Sequence, residues 1–260
     1  MSYVDAFYDK NKDLIKVVER VNGERIYVDH RPEYNFYVAD PKGTFKSVYG
    51  EKVTEIRCKS VKEFRKNVSI NTHNKKYESD IRPVNKTIAK HYNGAEQPVL
   101  QTAFLDIEVD FDPDRGYSSP EDAFMEITSV GVYLQWMKAM VCLAVPPKTL
   151  SWGQAQSIAD KIPEVVLFKT EKEMLQTFLE LIDDADVLSG WNSEGYDIPY
   201  LVNRITKVLG KSETRKLCLF DQFPKQRTFE MFGSERETYD LVGRVHLDYM
   251  QLYRKYNYEE

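Results

Sequence analysis

Histidine and cysteine are scarce in this 260-residue chain, at four and three residues. The cysteines, Cys58, Cys142 and Cys218, lie far apart with no paired spacing, which argues against a disulfide framework or a zinc knuckle and fits a reducing compartment. His30, His73, His91 and His246 are equally scattered and read as surface or core residues rather than metal ligands. Long apolar runs are missing too. The longest clear one, Ala139 to Val145, stops at Pro146-Pro147, far short of the roughly 20 residues a membrane helix needs. The start, Met1-Ser2-Tyr3-Val4-Asp5, lacks the charged-then-apolar layout of a signal peptide. These absences lead to the expectation of a soluble, intracellular protein without membrane partners. What is there, 42% hydrophobic and 13% aromatic residues, supports ordinary globular cores in one to two domains.

Charge divides the chain. Residues 1–100 hold 19 Lys and Arg against 14 Asp and Glu, whereas residues 101–260 hold 17 against 27. An acidic balance does not exclude nucleic-acid binding, because a metal site needs carboxylates and basic residues can be grouped along a strand path. One such group is Arg204, Lys207, Lys211, Arg215, Lys216, Lys225 and Arg227, read either as a phosphate-contacting stripe or as a solvated helical face.

The first hundred residues read as a separate mixed domain, 1–98. Leu14 to Val21 and Glu24 to Val28 flank Asn22-Gly23, a strong hairpin signal because both turn residues tolerate positive φ. Tyr34 to Val38 and Lys52 to Arg57 are further strands, and Ser60-Val61-Lys62-Glu63 is a capping box opening a helix through Val68. Tyr77 to Gln97 reads as a linker.

The chemistry sits in residues 99–260. Ala103, Leu105, Ile107 and Val109 form one face of a strand, with Thr102, Phe104, Asp106 and Glu108 opposite. Asp106 and Glu108 therefore project together, roughly 6.5–7 Å apart along the backbone. Phe104 beside them predicts a covered central strand. Hard oxygen ligands at this spacing suit Mg²⁺ or Mn²⁺ better than zinc. A lone Asp-x-Glu is weak evidence, since two surface acids on a half-exposed strand look the same. The second string is Gly190-Trp191-Asn192-(x3)-Tyr196-Asp197, placed between a short buried strand, Val187 to Gly190, and a helix whose first turn accepts Pro199. Asp197 falls at or beside a helix N-cap, where its plain role is capping. However, strand ends leading into helices are where open α/β sheets gather ligands.

Around these strings, Ile127 to Leu134 and Met140 to Val145 read as strands. Ser151 to Lys161 reads as a helix and Val165 to Phe168 as a strand. Thr170-Glu171-Lys172-Glu173 is a capping box leading a helix with Met174, Leu175, Phe178, Leu179 and Ile182 on its apolar stripe. Gln226 to Phe229 and Glu237 to Leu241 enclose a hairpin tip at Phe232.

With both strings in this order, the chain resembles the N-terminal and 3′→5′ proofreading exonuclease region of family B DNA polymerases, particularly the branch from T-even-like bacteriophages. The resemblance implies a small mixed N-terminal domain followed by an RNase H-like domain, α+β or α/β in class, with a mixed sheet flanked by helices. It implies Asp106, Glu108 and Asp197 as catalytic and metal-holding residues for two Mg²⁺ or Mn²⁺ ions, with Asp106 bridging both. Asn192 and Tyr196, matching the second exonuclease motif, together with Arg204, Arg227 and Phe232 at the hairpin tip, are the candidate DNA contacts. Its implied partners are the primer 3′ end and primer-template DNA, the remainder of a polymerase, and RNA through the N-terminal domain, in the cytoplasm of a host cell if phage-encoded. The family's downstream Tyr-x-x-x-Asp motif is missing: none of the 17 tyrosines is followed four residues later by Asp. The expectation is thus a front portion, truncated before the third motif and weak or inactive in isolation. Two competing readings are a non-catalytic nucleic-acid-binding module with a degenerate RNase H-like fold, and an unrelated RNase H-like nuclease acting on RNA.

Overall fold

The computed structural model describes residues 2–231 and 233–257. The chain divides into two compact units, Met1–Pro98 and Val99–Glu260.

The first unit holds two antiparallel sheets. Strands β1 (Ser2–Asp9), β2 (Leu14–Val21) and β3 (Glu24–His30) are joined in that order. The turn between β2 and β3 is Asn22-Gly23, at φ 54° and 87°, the positive-φ pair a two-residue hairpin requires. Strands β4 (Tyr34–Ala39), β5 (Phe45–Lys46), β6 (Lys52–Cys58) and β7 (Lys76–Tyr77) form the second sheet in the order β5-β6-β4-β7. Helix α1 (Val61–Ile70) follows β6, its cap Ser60 accepting the Glu63 N–H at 3.2 Å. The stretch expected as a linker instead contains helix α2 (Pro83–His91). Pro83 opens it without needing an amide donor, and Val84 and Ile88, four apart, pack with Tyr92 on Ile15 and Val17 of β2. A nine-residue helix with so short an apolar stripe carries little periodic signal, which is why composition concealed it.

The second unit is built on a six-stranded sheet in the order β11-β10-β9-β8-β12-β15. Its strands are β8 (Thr102–Val109), β9 (Ile127–Leu134), β10 (Ala139–Ala144), β11 (Val165–Leu167), β12 (Val187–Gly190) and β15 (Val245–Asp248). The β8-β9-β10 run is antiparallel, and β12 and β15 add in parallel beside β8. Helix α3 (Trp152–Ala159) precedes β11, and α4 (Glu171–Leu181), α5 (Asp197–Val208) and a 3₁₀ turn (Lys211–Leu217) lie among the remaining elements. The hairpin β13 (Lys225–Met231) and β14 (Ser234–Asp240) stands as its own ribbon, and α6 (Tyr249–Tyr256) follows β15.

One face of the central sheet is dry. Ala103, Leu105 and Ile107 of β8 pack into a core with Met174, Leu175, Phe178 and Leu179 of α4 and Ile198, Leu201 and Ile205 of α5. All five apolar positions expected on the α4 stripe, Ile182 included, are buried. The other face is open. Phe104, expected under cover, is 42% exposed, as are its cross-strand neighbour Tyr133 at 38% and, one strand further, Met140 at 48%. The alternation along β8 was read correctly, but a central position in a sheet guarantees neighbours at the edges, not a layer on both faces. This mixed sheet with helices, preceded in sequence by a small β-rich unit, is the architecture that the resemblance implies. Among the described residues, no helix is long and apolar enough to cross a membrane.

Candidate active site

The site forms where β8 and β12 run parallel. Ser189 of β12 pairs with Phe104, so the chain leaving β12 emerges beside Asp106. Gly190 makes that exit possible: a Cβ there would lie 2.7 Å from the Leu105 carbonyl oxygen and 2.9 Å from Ser193 Cβ. The next residues turn sharply, with Asn192 at φ 58°, and the Asn192 carbonyl accepts the N–H groups of Gly195 and Tyr196 at 3.0 and 3.1 Å.

Asp197 begins α5, but it does not cap it. Tyr196 holds the cap position without a side-chain bond, and Asp197 turns its carboxylate to the Ile107 N–H at 3.1 Å. It is thereby anchored to the N–H of the one residue lying between Asp106 and Glu108. Only 4% exposed, it is pushed up to about 7, first by burial and then by the negative charge of Asp106. Asp106 and Glu108 stay solvent-exposed on the open face, bordering a groove of about 320 Å³ lined also by Phe104, Tyr133, Met140 and Cys142.

Among the described residues, no three His, Cys, Asp or Glu side chains are gathered tightly enough to hold a metal ion. Asp197 commits one oxygen to the Ile107 amide, and three like charges on two stiff elements are not drawn together by anything in the protein itself. Even so, two solvent-facing carboxylates beside a buried one, all hard oxygen donors, fit a divalent cation that keeps part of its water shell.

Sequence reasoning missed the group that holds the turn. Asp248, at the end of β15 and only 6% exposed, accepts the Asn192 and Met250 N–H groups through Oδ1 and the Glu194 N–H through Oδ2. Two of these amides clamp the 191–195 turn to the sheet, and the third is in the first turn of α6, which Asp248 caps. Its signal was there, an Asp following a short apolar strand and preceding a helix, but the reason for its burial is a turn some 55 positions away in sequence. The ring of His246 backs the same turn, 2.9 Å from Ser193 Oγ, and burial lowers its pKa.

The candidate DNA contacts separate. Tyr196 stacks on Tyr200 at 5.5 Å, and burial, followed by the charges of Tyr200, Asp197 and Glu108, pushes its hydroxyl up to about 12. Asn192 is half-buried, and its side-chain oxygen has no protein partner. Arg204 does not face DNA: its guanidinium is bound by both oxygens of Glu171, at 2.7 and 2.6 Å, and by the carbonyls of Ala123 and Phe124. The basic stripe dissolves with it. Arg215 pairs with Asp221, Lys216 with Glu213, and Lys207 donates to the Asp122 carbonyl. Arg227 joins Asp240 to Glu194, tying the hairpin to the active-site turn, and so is not a free phosphate ligand. A charge count along the sequence could not reveal these partners, most of which come from other segments. Phe232 lies outside the described residues.

Residues 41–259 match the family described as DNA polymerase family B, exonuclease domain. The chain belongs to this family. It is 30% identical over 106 residues to a DNA-directed DNA polymerase of Enterobacteria phage T4, covering 37% of this chain and 12% of that protein. With the DNA-directed DNA polymerase of Escherichia phage RB69 it shares 33% identity over 108 residues, 38% of this chain and 12% of the relative. A DNA polymerase of Pyrococcus glycovorans is 29% identical over 116 residues, 42% and 13% of the two chains. The matches thus span about one eighth of each relative's length. The family is one of nucleases, and its exonuclease domains depend on divalent metal.

Proposed function

We propose that the second unit removes nucleotides from the 3′ end of single-stranded DNA, and that the chain serves as the N-terminal and proofreading portion of a replicative DNA polymerase. The observation that carries this reading is the Asp197 carboxylate bonded to the amide between Asp106 and Glu108. Three acids from two distant segments are thereby tied to one strand, and two of them, Asp106 and Glu108, border an open groove.

Asp106, Glu108 and Asp197 are the residues that would hold divalent ions. Bound there as a pair, such ions supply an activated water and neutralise the charge of the departing 3′ oxygen. Tyr196 keeps its proton at neutral pH and stands as a hydrogen-bond donor beside Glu108, able to orient a phosphate oxygen or a water. The unpartnered Asn192 oxygen is an acceptor for a donor on the terminal nucleotide. The β13-β14 ribbon, fixed to the turn through Arg227 and Glu194, would help part primer from template. The first unit takes the role of the polymerase N-terminal domain, in contact with nucleic acid.

Because the three acids are not gathered into a cage, hydrolysis by this chain alone is slow. A 5′-labelled single-stranded oligonucleotide incubated with Mn²⁺ should shorten stepwise from its 3′ end, and Asp106→Ala should abolish the ladder. Shortening from the 5′ end, or a ladder unchanged in Asp106→Ala, would overturn the assignment. Binding without any cleavage would favour the competing reading, a non-catalytic nucleic-acid module, which the dispersed carboxylates support.

A further inference from the structure

The turn that leads into Asp197 is held by two side chains of a single strand. His246 and Asp248 of β15 lie two residues apart and so share a face, in register with Leu188 and Gly190 of β12. Their tasks differ. Asp248 takes the main-chain amides on either side of Ser193, those of Asn192 and Glu194, whereas His246 takes Ser193 itself, Nε2 lying 2.9 Å from the hydroxyl oxygen. The direction of that bond follows from counting protons. Burial lowers the imidazole pKa, so the ring is neutral at neutral pH and carries one N–H. The Ser193 hydroxyl also has a single proton, and the Gly190 carbonyl accepts it at 3.2 Å. The serine oxygen then accepts from the ring, which places the imidazole proton on Nε2 and leaves Nδ1 bare.

Ser193 is tied as well to the helix it precedes. Its carbonyl accepts the Ile198 N–H at 2.9 Å, and that nitrogen belongs to the peptide joining Ile198 to Asp197. The Asp197 carboxylate reaches the Ile107 N–H in turn. A relay of hydrogen bonds therefore runs from β15 through Ser193 and the first turn of α5 to β8. It has little slack: Ser193 is fully buried, and its Cβ lies so close to Gly190 that a Cβ there would stand 2.9 Å away. Asp248 cannot replace this relay, because it holds neither the side chain nor the carbonyl of Ser193. As mere filling, the pair has no advantage, since replacing both partners of a buried hydrogen bond by apolar groups of the same shape is nearly neutral. What apolar contact lacks is direction.

We propose that His246 is a positioning residue of the exonuclease site. Through Ser193 it fixes the first turn of α5, and with it the place of Asp197 beside Asp106 and Glu108. It acts through the serine and is no ligand of the ions. The consequence for hydrolysis rests on the proposed function; the relay rests on the hydrogen bonds alone.

The test uses the full chain and three readouts: hydrogen exchange of the Ile198 amide in EDTA, Mn²⁺ binding followed by electron paramagnetic resonance of the free ion, and 3′ shortening of a 5′-labelled single-stranded oligonucleotide. His246→Leu keeps much of the volume but cannot donate. It should speed Ile198 exchange and weaken Mn²⁺ binding about five- to tenfold, the worth of one buried hydrogen bond. His246→Gln, whose side-chain nitrogen can take the place of Nε2, should recover most of both. Ser193→Ala should match His246→Leu, and the two together should cost no more than either alone, because they remove the same bond. Thermal melting establishes that each variant is folded, and if His246→Leu is not, Ser193→Ala and His246→Gln decide the matter. Ile198 exchange unchanged in Ser193→Ala, additive losses in the double variant, or equal losses in His246→Leu and His246→Gln would each overturn the proposal. No 3′ shortening by the wild type, with exchange and Mn²⁺ binding moving as stated, would sink only the exonuclease reading; shortening with unmoved Ile198 exchange would sink only this one.

Discussion

Asp197→Asn isolates the electrostatic cost of the site. The carboxylate moves from its ordinary 3.8 to about 7 because burial, and then Asp106, disfavour its charged form. In the unfolded chain the group ionises near pH 4, whereas in the folded protein it keeps its proton until about pH 7. Between these values the native state binds more protons than the unfolded one, so stability falls as pH rises through the window and levels off above it. At about 1.4 kcal/mol per pH unit, the penalty grows from about 0.6 kcal/mol at pH 4 to about 1.7 at pH 5 and about 4 above pH 7. Asparagine keeps an oxygen for the Ile107 amide but carries no charge. The variant should therefore match the wild type near pH 4 and exceed it by up to about 4 kcal/mol at pH 8 in EDTA. The measurement is urea unfolding of both proteins across pH 4 to 8. Saturating Mg²⁺ at pH 8 should narrow the gap, because a cation stabilises the ionised wild type alone. A difference independent of pH, or a variant less stable at pH 8 than at pH 4 relative to wild type, would refute the argument that a buried, repelled carboxylate is held there.

Two further outcomes follow from buried charge elsewhere in the second unit. Glu171→Gln leaves the enclosed Arg204 guanidinium without a countercharge and should cost about 3–5 kcal/mol in chemical denaturation, whereas Arg204→Met with Glu171→Met together should recover most of it. Asp248→Asn removes the charge shared by three amide donors, which should lower stability by about 1–3 kcal/mol and accelerate hydrogen exchange at Asn192 and Glu194; unchanged exchange there would show that the turn holds itself.

The local code carried much of this molecule. Period-two alternation placed Asp106 and Glu108 on one face of β8, Asn22-Gly23 set the β2-β3 hairpin, and Ser60 and Thr170 cap the helices they precede. Such features are set by neighbours within a few residues, so a string of letters suffices to read them. The order of the two acidic strings was likewise enough to identify the family. What depended on distant partners was not legible. Whether Arg204 meets a phosphate or Glu171, whether Asp197 caps its helix or reaches the Ile107 amide, and which face of β8 is covered are decided by segments 33 to 90 positions away. A charged side chain has the same propensity wherever it lies, but its energy depends on what surrounds it. Only the folded chain chooses those surroundings, and so only the tertiary structure could separate acids that stay in water from the one pushed to about 7.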